Sequence, residues 1–277
     1  DGLVTSKGEL WKRQRKLMAP FYTPKGVQAY AGLMARDGAR LVERWDMLAR
    51  RGVEVDVIGE MTQVTASIIL KAMFSTESPE MIASTQGAVD TMLTYVGTQG
   101  PGVRFPLWLP TPLNRRYLRA RERVHGSITQ LIAQRRAMNE REWPDDLLTR
   151  LMQVRDEETG APMAEGLLRD ESITTFFAGH ETTARTMTAA WYALAANPKV
   201  TEQLHAELDR VLAGRTPNPD DLRSLPYTLQ VVKEVLRLYP AAPFYVRDAI
   251  GPDRVGGHDI PAGAAVMLSP YYTHRHP

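Results

Sequence analysis

From Glu165 to Ala196 the sequence carries no proline, and its glycines are Gly166 and Gly179 alone. Nothing in that stretch breaks a helix. At about 1.5 Å of rise per residue it spans roughly 45 Å, the width of a sizeable domain. A helix of that length has to run through the middle of whatever the chain builds, so the expected class is mainly α. Asn197-Pro198 closes it and opens the next helix, because proline suits a first helical turn and disfavours helix at the residue before it.

The flanking sequence agrees. Val27, Tyr30, Met34, Leu41, Val42 and Trp45 recur at the three-and-four spacing of one helix face, and Ile58 to Phe74 is again helical. Helices are also expected over Asn114–Met138, Asp145–Val154 and Pro226–Leu238. The alternation Val53-Glu54-Val55-Asp56 predicts a short strand, and so do Phe244–Arg247, Arg254–Val255 and Ala264–Leu268. Prolines and glycines from Gly97 to Pro112 predict a loop. A net charge of +2 over 277 residues gives no electrostatic reason to bind nucleic acid. With no cysteine, disulfides, thiol nucleophiles and cysteine metal sites are excluded within these residues. No uninterrupted apolar run reads as long enough to cross a bilayer.

Three clusters carry chemistry. The centre of the long helix reads Phe176-Phe177-Ala178-Gly179-His180-Glu181-Thr182-Thr183. Glycine inside a helix costs about 1 kcal/mol relative to alanine, so something must approach the backbone there. That something is either a ligand or a crossing helix, and the spacing leaves both open. A zinc helix would need a second histidine one turn after His180, where Ala184 stands, so that reading fails. Glu234 and Arg237 lie three apart and share a helix face. Apolar Val231, Val232, Val235, Leu236 and Leu238 crowd them and predict a paired, mostly buried couple. Trp11 and Arg15, four apart, offer an indole donor and a guanidinium to one anion. The same run, Trp11-Lys12-Arg13-Gln14-Arg15-Lys16, also suits a plain basic surface helix.

In this order the three clusters resemble the cytochrome P-450 superfamily of haem-thiolate monooxygenases. Trp11-x-x-x-Arg15 is similar to its C-helix motif, Ala178 through Thr183 to its I-helix motif, and Glu234-x-x-Arg237 to its K-helix motif. Gly8 to Trp11, Pro20-Phe21, Leu238-Tyr239-Pro240, Ile260 to Gly263 and His274 to Pro277 add to the likeness, which covers residues 1–277 as part of one catalytic domain. The resemblance implies a cytochrome P-450 fold from the C helix through the K helix, mainly α, with a few short strands near the C-terminal end. It implies haem b, held by Trp11, Arg15 and Arg247 at the propionates, with Ala178 and Gly179 leaving room over its face. Thr182 and Glu181 would be catalytic, the hydroxyl steadying dioxygen and the acid relaying protons. Phe177, Ala242 and Phe244 would line the substrate pocket, and Glu234 with Arg237 would be structural.

Implied partners are a small apolar substrate, dioxygen, and a ferredoxin or flavoprotein reductase that delivers electrons. The implied location is cytoplasmic, with a membrane tether left open. The axial cysteine of the family falls beyond Pro277, so these residues alone are expected to be inactive. A non-catalytic helical scaffold, or a decayed paralogue without the cysteine, is the alternative.

Overall fold

A computed structural model of the chain describes residues 2–76, 87–88, 91–92, 94–95, 105–156 and 159–276. Its helices are α1 (Gly8–Met18), α2 (Pro24–Gln28), α3 (Ala31–Arg50), α4 (Val57–Phe74), α5 (Pro112–Ala137), α6 (Leu147–Gln153), α7 (Glu165–Ala196), α8 (Pro198–Leu212), α9 (Pro226–Leu238) and α10 (Pro270–Thr273). Four short strands, β1 (Tyr245–Asp248), β2 (Asp253–Val255), β3 (His258–Ile260) and β4 (Ala265–Leu268), form two antiparallel pairs, β1 with β4 and β2 with β3. The chain divides into two compact units. One holds residues 1–55 and 62–181, the other residues 56–61 and 182–277, so α4 and α7 each contribute to both.

The predicted helix boundaries fare well where prolines mark them. Proline stands in the first turn of α5, α8 and α9, where the missing N–H would have had no partner. Side-chain caps set other starts: Thr111 accepts from the Asn114 N–H, and Asp146 from the Thr149 N–H. Two expectations are corrected. Val27–Trp45 is not one helix, because the chain breaks at Ala29-Tyr30 between α2 and α3. Val53–Asp56 is not a strand. It has the alternation but pairs with no strand among the described residues, and Val53 stays half exposed. Of the predicted Gly97–Pro112 loop, residues 97–104 lie outside the described residues, and 105–111 are irregular as expected. Pro277, the last residue of the His274–Pro277 run, also lies outside them.

The first unit is built around a continuous apolar core. Leu17 and Met18 of α1, Leu70, Met73 and Phe74 of α4, Ile128, Leu131 and Ile132 of α5, Leu147, Leu148 and Leu151 of α6, and Leu168 and Phe176 of α7 all meet in it. Burying a side chain the size of Phe176 contributes about 1.5–3 kcal/mol. Helix α4 is long and apolar enough by composition to cross a membrane, but half of it is buried in the protein and its last turn supplies core residues. A buried ion pair braces the same core: Arg135 donates to both carboxylate oxygens of Asp146, at 2.7 and 2.6 Å, and to the Phe74 carbonyl at 3.2 Å.

In the second unit, Glu207 of α8 caps α9. Its carboxylate accepts from the backbone N–H groups of Tyr227 and Thr228 and from the Thr228 hydroxyl, at 2.7–2.9 Å. Desolvation would raise the Glu207 acid, but these donors together outweigh it and hold the group below its usual range.

Candidate functional site

Helix α7 has two different sides. Glu171, Ser172, Thr175, Phe176, His180 and Ala184 are buried, whereas Ala178 and Thr182, one turn apart, are exposed. At about 100° per residue Phe176, His180 and Ala184 fall on one face and Ala178 with Thr182 on the opposite one, while Glu171 and Thr175, on the stripe of Ala178 and Thr182, are covered nearer the N-terminus of the helix.

The buried side is held tightly near the motif. His180 is fully buried; its ring stacks on Phe176 with centroids 4.7 Å apart, and its Nδ1 donates to the Phe176 carbonyl at 2.9 Å. The Thr65 hydroxyl of α4, itself buried, donates to the His180 carbonyl at 3.1 Å. Gly179 faces Ile69 of α4. A Cβ placed on Gly179 would lie 2.8 Å from Ile69 Cδ1 and 3.1 Å from its Cγ1. So the close approach that a mid-helix glycine demands is made, on this side, by a crossing helix.

Glu181 is half-buried beside the exposed Thr182. One turn on, the Thr186 hydroxyl donates back to the Thr182 carbonyl at 2.9 Å, and Thr188 does the same to Ala184 at 2.8 Å. Phe177 is half-buried and packs against both the main core and a smaller cluster of Ala88, Ala120 and Val124.

On α1, Trp11 and Arg15 are both exposed, and neither side chain makes a hydrogen bond or ion pair among the described residues. Neighbouring Arg13 is committed elsewhere: it donates to Asp156 at 2.6 Å and ties α1 to the strand-like bridge of Arg155 with Pro162. Gln14, fully buried, accepts from the Ser6 hydroxyl. The basic run thus divides into residues that anchor the helix and a Trp-Arg pair that presents donors.

The second unit carries Ala242, Phe244 and Arg247. Ala242 and Phe244 are exposed on the link before β1. Arg247 on β1 is exposed, its guanidinium 4.8 Å above the Tyr245 ring and donating to the Val246 carbonyl at 3.0 Å.

Glu234 and Arg237 are paired as predicted, by two bonds of 2.7 Å, and a third guanidinium nitrogen donates to the His274 carbonyl at 2.6 Å. The pair holds the Glu234 acid below its ordinary range. Its expected burial is corrected: the side chains are 54% and 44% exposed. The apolar residues around them fail to cover the pair because, of α9, Val235 alone is buried, while Val232 and Leu236 stay outside. Arg275 donates to the Leu238 carbonyl and lies 3.9 Å over the Tyr271 ring, so the closing segment is strapped to the end of α9.

Haem asks of a protein a set of cationic or N–H donors for its carboxylates, a flat small-residue wall, and an axial ligand. The exposed, unpaired Trp11 and Arg15 fit the first requirement, and Ala178 with Thr182 on the open side of α7 fit the second. The axial thiolate of the P-450 type has no source here, since the 277 residues contain no cysteine.

Sequence reasoning missed Thr65, Ile69 and Glu171. Thr65 and Ile69 sit in an apolar helix with no local pattern to single them out, and Glu171 reads as an ordinary helical acid until its burial is known.

The chain is 34% identical over 279 residues to cyclooctatin synthase of Streptomyces melanosporofaciens. It is 30% identical over 277 residues to pentalenene oxygenase of Streptomyces avermitilis. Both alignments use all of this chain, which spans about 60% of either relative's length. A crystal structure of a cytochrome P450 superposes with a TM-score of 0.84 at 24% identity, over 99% of this chain and 64% of the other. That likeness shows the fold, mainly helical with a few short strands. The family model described as Cytochrome P450 matches residues 1–277, and the chain therefore belongs to the cytochrome P450 family.

Proposed function

We propose that the full-length protein is a haem-dependent monooxygenase that inserts one oxygen atom of dioxygen into an apolar organic substrate. In that reading its electrons come from a ferredoxin or a flavoprotein reductase. The observation that carries this reading is the open side of α7, where Ala178 and Thr182 are exposed one turn apart opposite the buried Phe176, His180 and Ala184. When bound, haem with a thiolate ligand supplies the activation of dioxygen. Trp11, Arg15 and Arg247 are the residues that would hold its propionates, through charge-assisted hydrogen bonds. Ala178 keeps the wall flat, and Gly179 allows α7 to lie where α4 fixes it. Thr182 would supply a proton-bearing hydroxyl to that chemistry. Glu181, half-buried beside it, passes protons inward from solvent. Phe177, Ala242 and Phe244 contact substrate. Glu234 and Arg237 act structurally, tying α9 to the His274 segment.

The test uses full-length, haem-loaded protein with an electron source. Reduced and exposed to carbon monoxide, it should give a thiolate-type band, and the 277-residue chain mixed with haem should give none. Thr182→Ala should divert consumed dioxygen to peroxide while leaving that band intact. A thiolate-type band from the 277 residues alone, or full coupling in Thr182→Ala, contradicts the assignment.

A further inference from the structure

Thr65 of α4 carries a buried hydroxyl within reach of two acceptors. Around it on the same helix Met61, Ala66, Leu70 and Met73 are apolar and buried. A threonine in such a helix ordinarily bonds back to a carbonyl of its own preceding turn. Thr65 has that partner, the Thr62 carbonyl at 3.2 Å, but its hydroxyl lies as near to another helix, with the His180 carbonyl of α7 at 3.1 Å. Neither carbonyl depends on it. Both stand inside α-helices, where the N–H four residues on already serves them. A valine at this position would fill the same space and leave no buried atom unpaired. What the hydroxyl adds is a fixed relation between α4 and one peptide of α7.

The local geometry explains the reach. A side chain as short as threonine touches the backbone of a second helix only where the two helices come close. Gly179 provides that approach, since a Cβ there would lie 2.8 Å from Ile69 Cδ1. Ile69 stands one turn after Thr65 on the same face of α4, and Gly179 directly precedes His180. The missing side chain and the bridging hydroxyl are two parts of one helix crossing. The carbonyl that Thr65 holds belongs to the planar peptide joining His180 to Glu181. The restraint therefore ends at the Glu181 nitrogen, with Thr182 the next residue. The His180 ring is fixed independently, by its stack on Phe176 and its bond to the Phe176 carbonyl.

We infer that Thr65 is a positioning residue for the oxygen chemistry proposed above, a reading on which this inference rests. It touches no reacting group. By pinning the His180–Glu181 peptide from the core side, it sets the backbone from which the Glu181 carboxylate and the Thr182 hydroxyl project. Proton transfer depends steeply on such placement, because a donor displaced by about an ångström loses much of its efficiency. Without the bond, dioxygen is still consumed, and more of it leaves as peroxide.

The test compares full-length, haem-loaded wild type with Thr65→Val, Thr65→Ala and Thr65→Ser, each supplied with an electron source. Thr65→Val keeps the shape and loses the hydroxyl. Thr65→Ala and Thr65→Ser both lose the methyl and differ in the hydroxyl alone. The share of electrons recovered as peroxide should rise about three- to tenfold in Thr65→Val and Thr65→Ala, the range for one lost hydrogen bond, and stay near wild type in Thr65→Ser. Backbone amide exchange over residues 178–184, which is read without turnover, should quicken by a similar factor in the same two variants. The thiolate-type carbon monoxide band should be equal in all four proteins. Should one of Thr65→Val and Thr65→Ala fail to hold haem, the other decides against Thr65→Ser. Wild-type coupling in both, peroxide from Thr65→Ser equal to that from Thr65→Ala, or loss of haem from Thr65→Val and Thr65→Ala alike would overturn the inference and leave the monooxygenase reading standing. A wild type without the thiolate-type band would sink that reading, and this inference with it.

Discussion

Gly179→Ala separates two physical reasons for a glycine in the middle of α7. In an open helix interior the change gains about 1 kcal/mol, because alanine restricts the unfolded chain and glycine does not. In this structure the new Cβ meets Ile69 Cδ1 at 2.8 Å and Cγ1 at 3.1 Å. The Cδ1 contact can be eased by turning the end of the side chain. The Cγ1 contact cannot, since it requires χ1 to move, which is stiff in a β-branched residue packed against the core. Overpacking of this kind costs about 1–3 kcal/mol, so the net effect should be a loss of about 1 kcal/mol rather than a gain. Ile69→Ala alone should cost about 2 kcal/mol, the low end for a partly buried isoleucine. Together the two changes should cost about 1–2 kcal/mol less than their sum, because alanine at 179 then occupies part of the vacated space. Ile69→Val, which keeps Cγ1, should recover little of that coupling. The assay is the urea midpoint of the four proteins of the cycle by circular dichroism, with haem content measured in parallel. If Gly179→Ala is stabilising and the cycle additive, Ile69 is not what the glycine accommodates. If stability is unchanged and haem is lost, the glycine serves the open side instead.

Three further outcomes follow from single contacts. Burial pushes the Glu171 acid above its ordinary range, so the native state keeps a proton that the unfolded chain releases above about pH 4.3. Stability should then fall as pH rises from there to the raised value, and Glu171→Gln should raise the melting temperature at neutral pH but not at pH near 4; parallel melting curves at all pH values contradict this. Arg135→Ala leaves Asp146 buried without its partner and should cost about 3–5 kcal/mol in urea unfolding, so a loss below about 1 kcal/mol would mean that solvent reaches the pair. The Arg215 guanidinium and the Asn218 N–H hold Asp221 down at about 2. Its contribution should be present above the usual carboxylate range and fade as pH falls through about 2, and Asp221→Asn should remove that acid limb from a stability–pH profile.

How much of this was legible in the sequence depends on whether the cause is local. The run without breakers from Glu165 to Ala196 and the prolines at 198 and 226 fix α7, α8 and α9 to within a residue or two, because helix starts and stops are written in neighbouring residues. Val53–Asp56 shows the opposite case, since alternation describes one strand and a strand needs a second. The burial of Glu234 and Arg237 was misjudged for a related reason: apolar neighbours along a helix surround a pair in sequence, not in space. For the site, Ala178 and Thr182 fall on one face by helical period alone. Gly179 could announce a close approach but not Ile69 as its partner, which lies in a distant helix. Thr65 and Glu171 carry no signal at all until the packing of α4 and α1 against α7 is known.

That packing also bears on why α7 suits a site. Its buried residues include polar atoms with no partner among the described residues, the Ser172 hydroxyl and the His180 Nε2. Each costs on the order of 1–3 kcal/mol unless a buried water satisfies it. A helix that tolerates them has to be fixed by something stronger, and here that is the enclosure of Leu168 and Phe176 together with the bond from Thr65 to the His180 carbonyl and the contact of Ile69 with Gly179. Those last two restraints act on the residues directly between Ala178 and Glu181. The backbone that presents Ala178 and Thr182 is therefore held from behind, at Gly179 and His180. Reacting groups lose efficiency steeply when displaced by an ångström, so a site on this helix gains from restraints that leave its exposed face untouched.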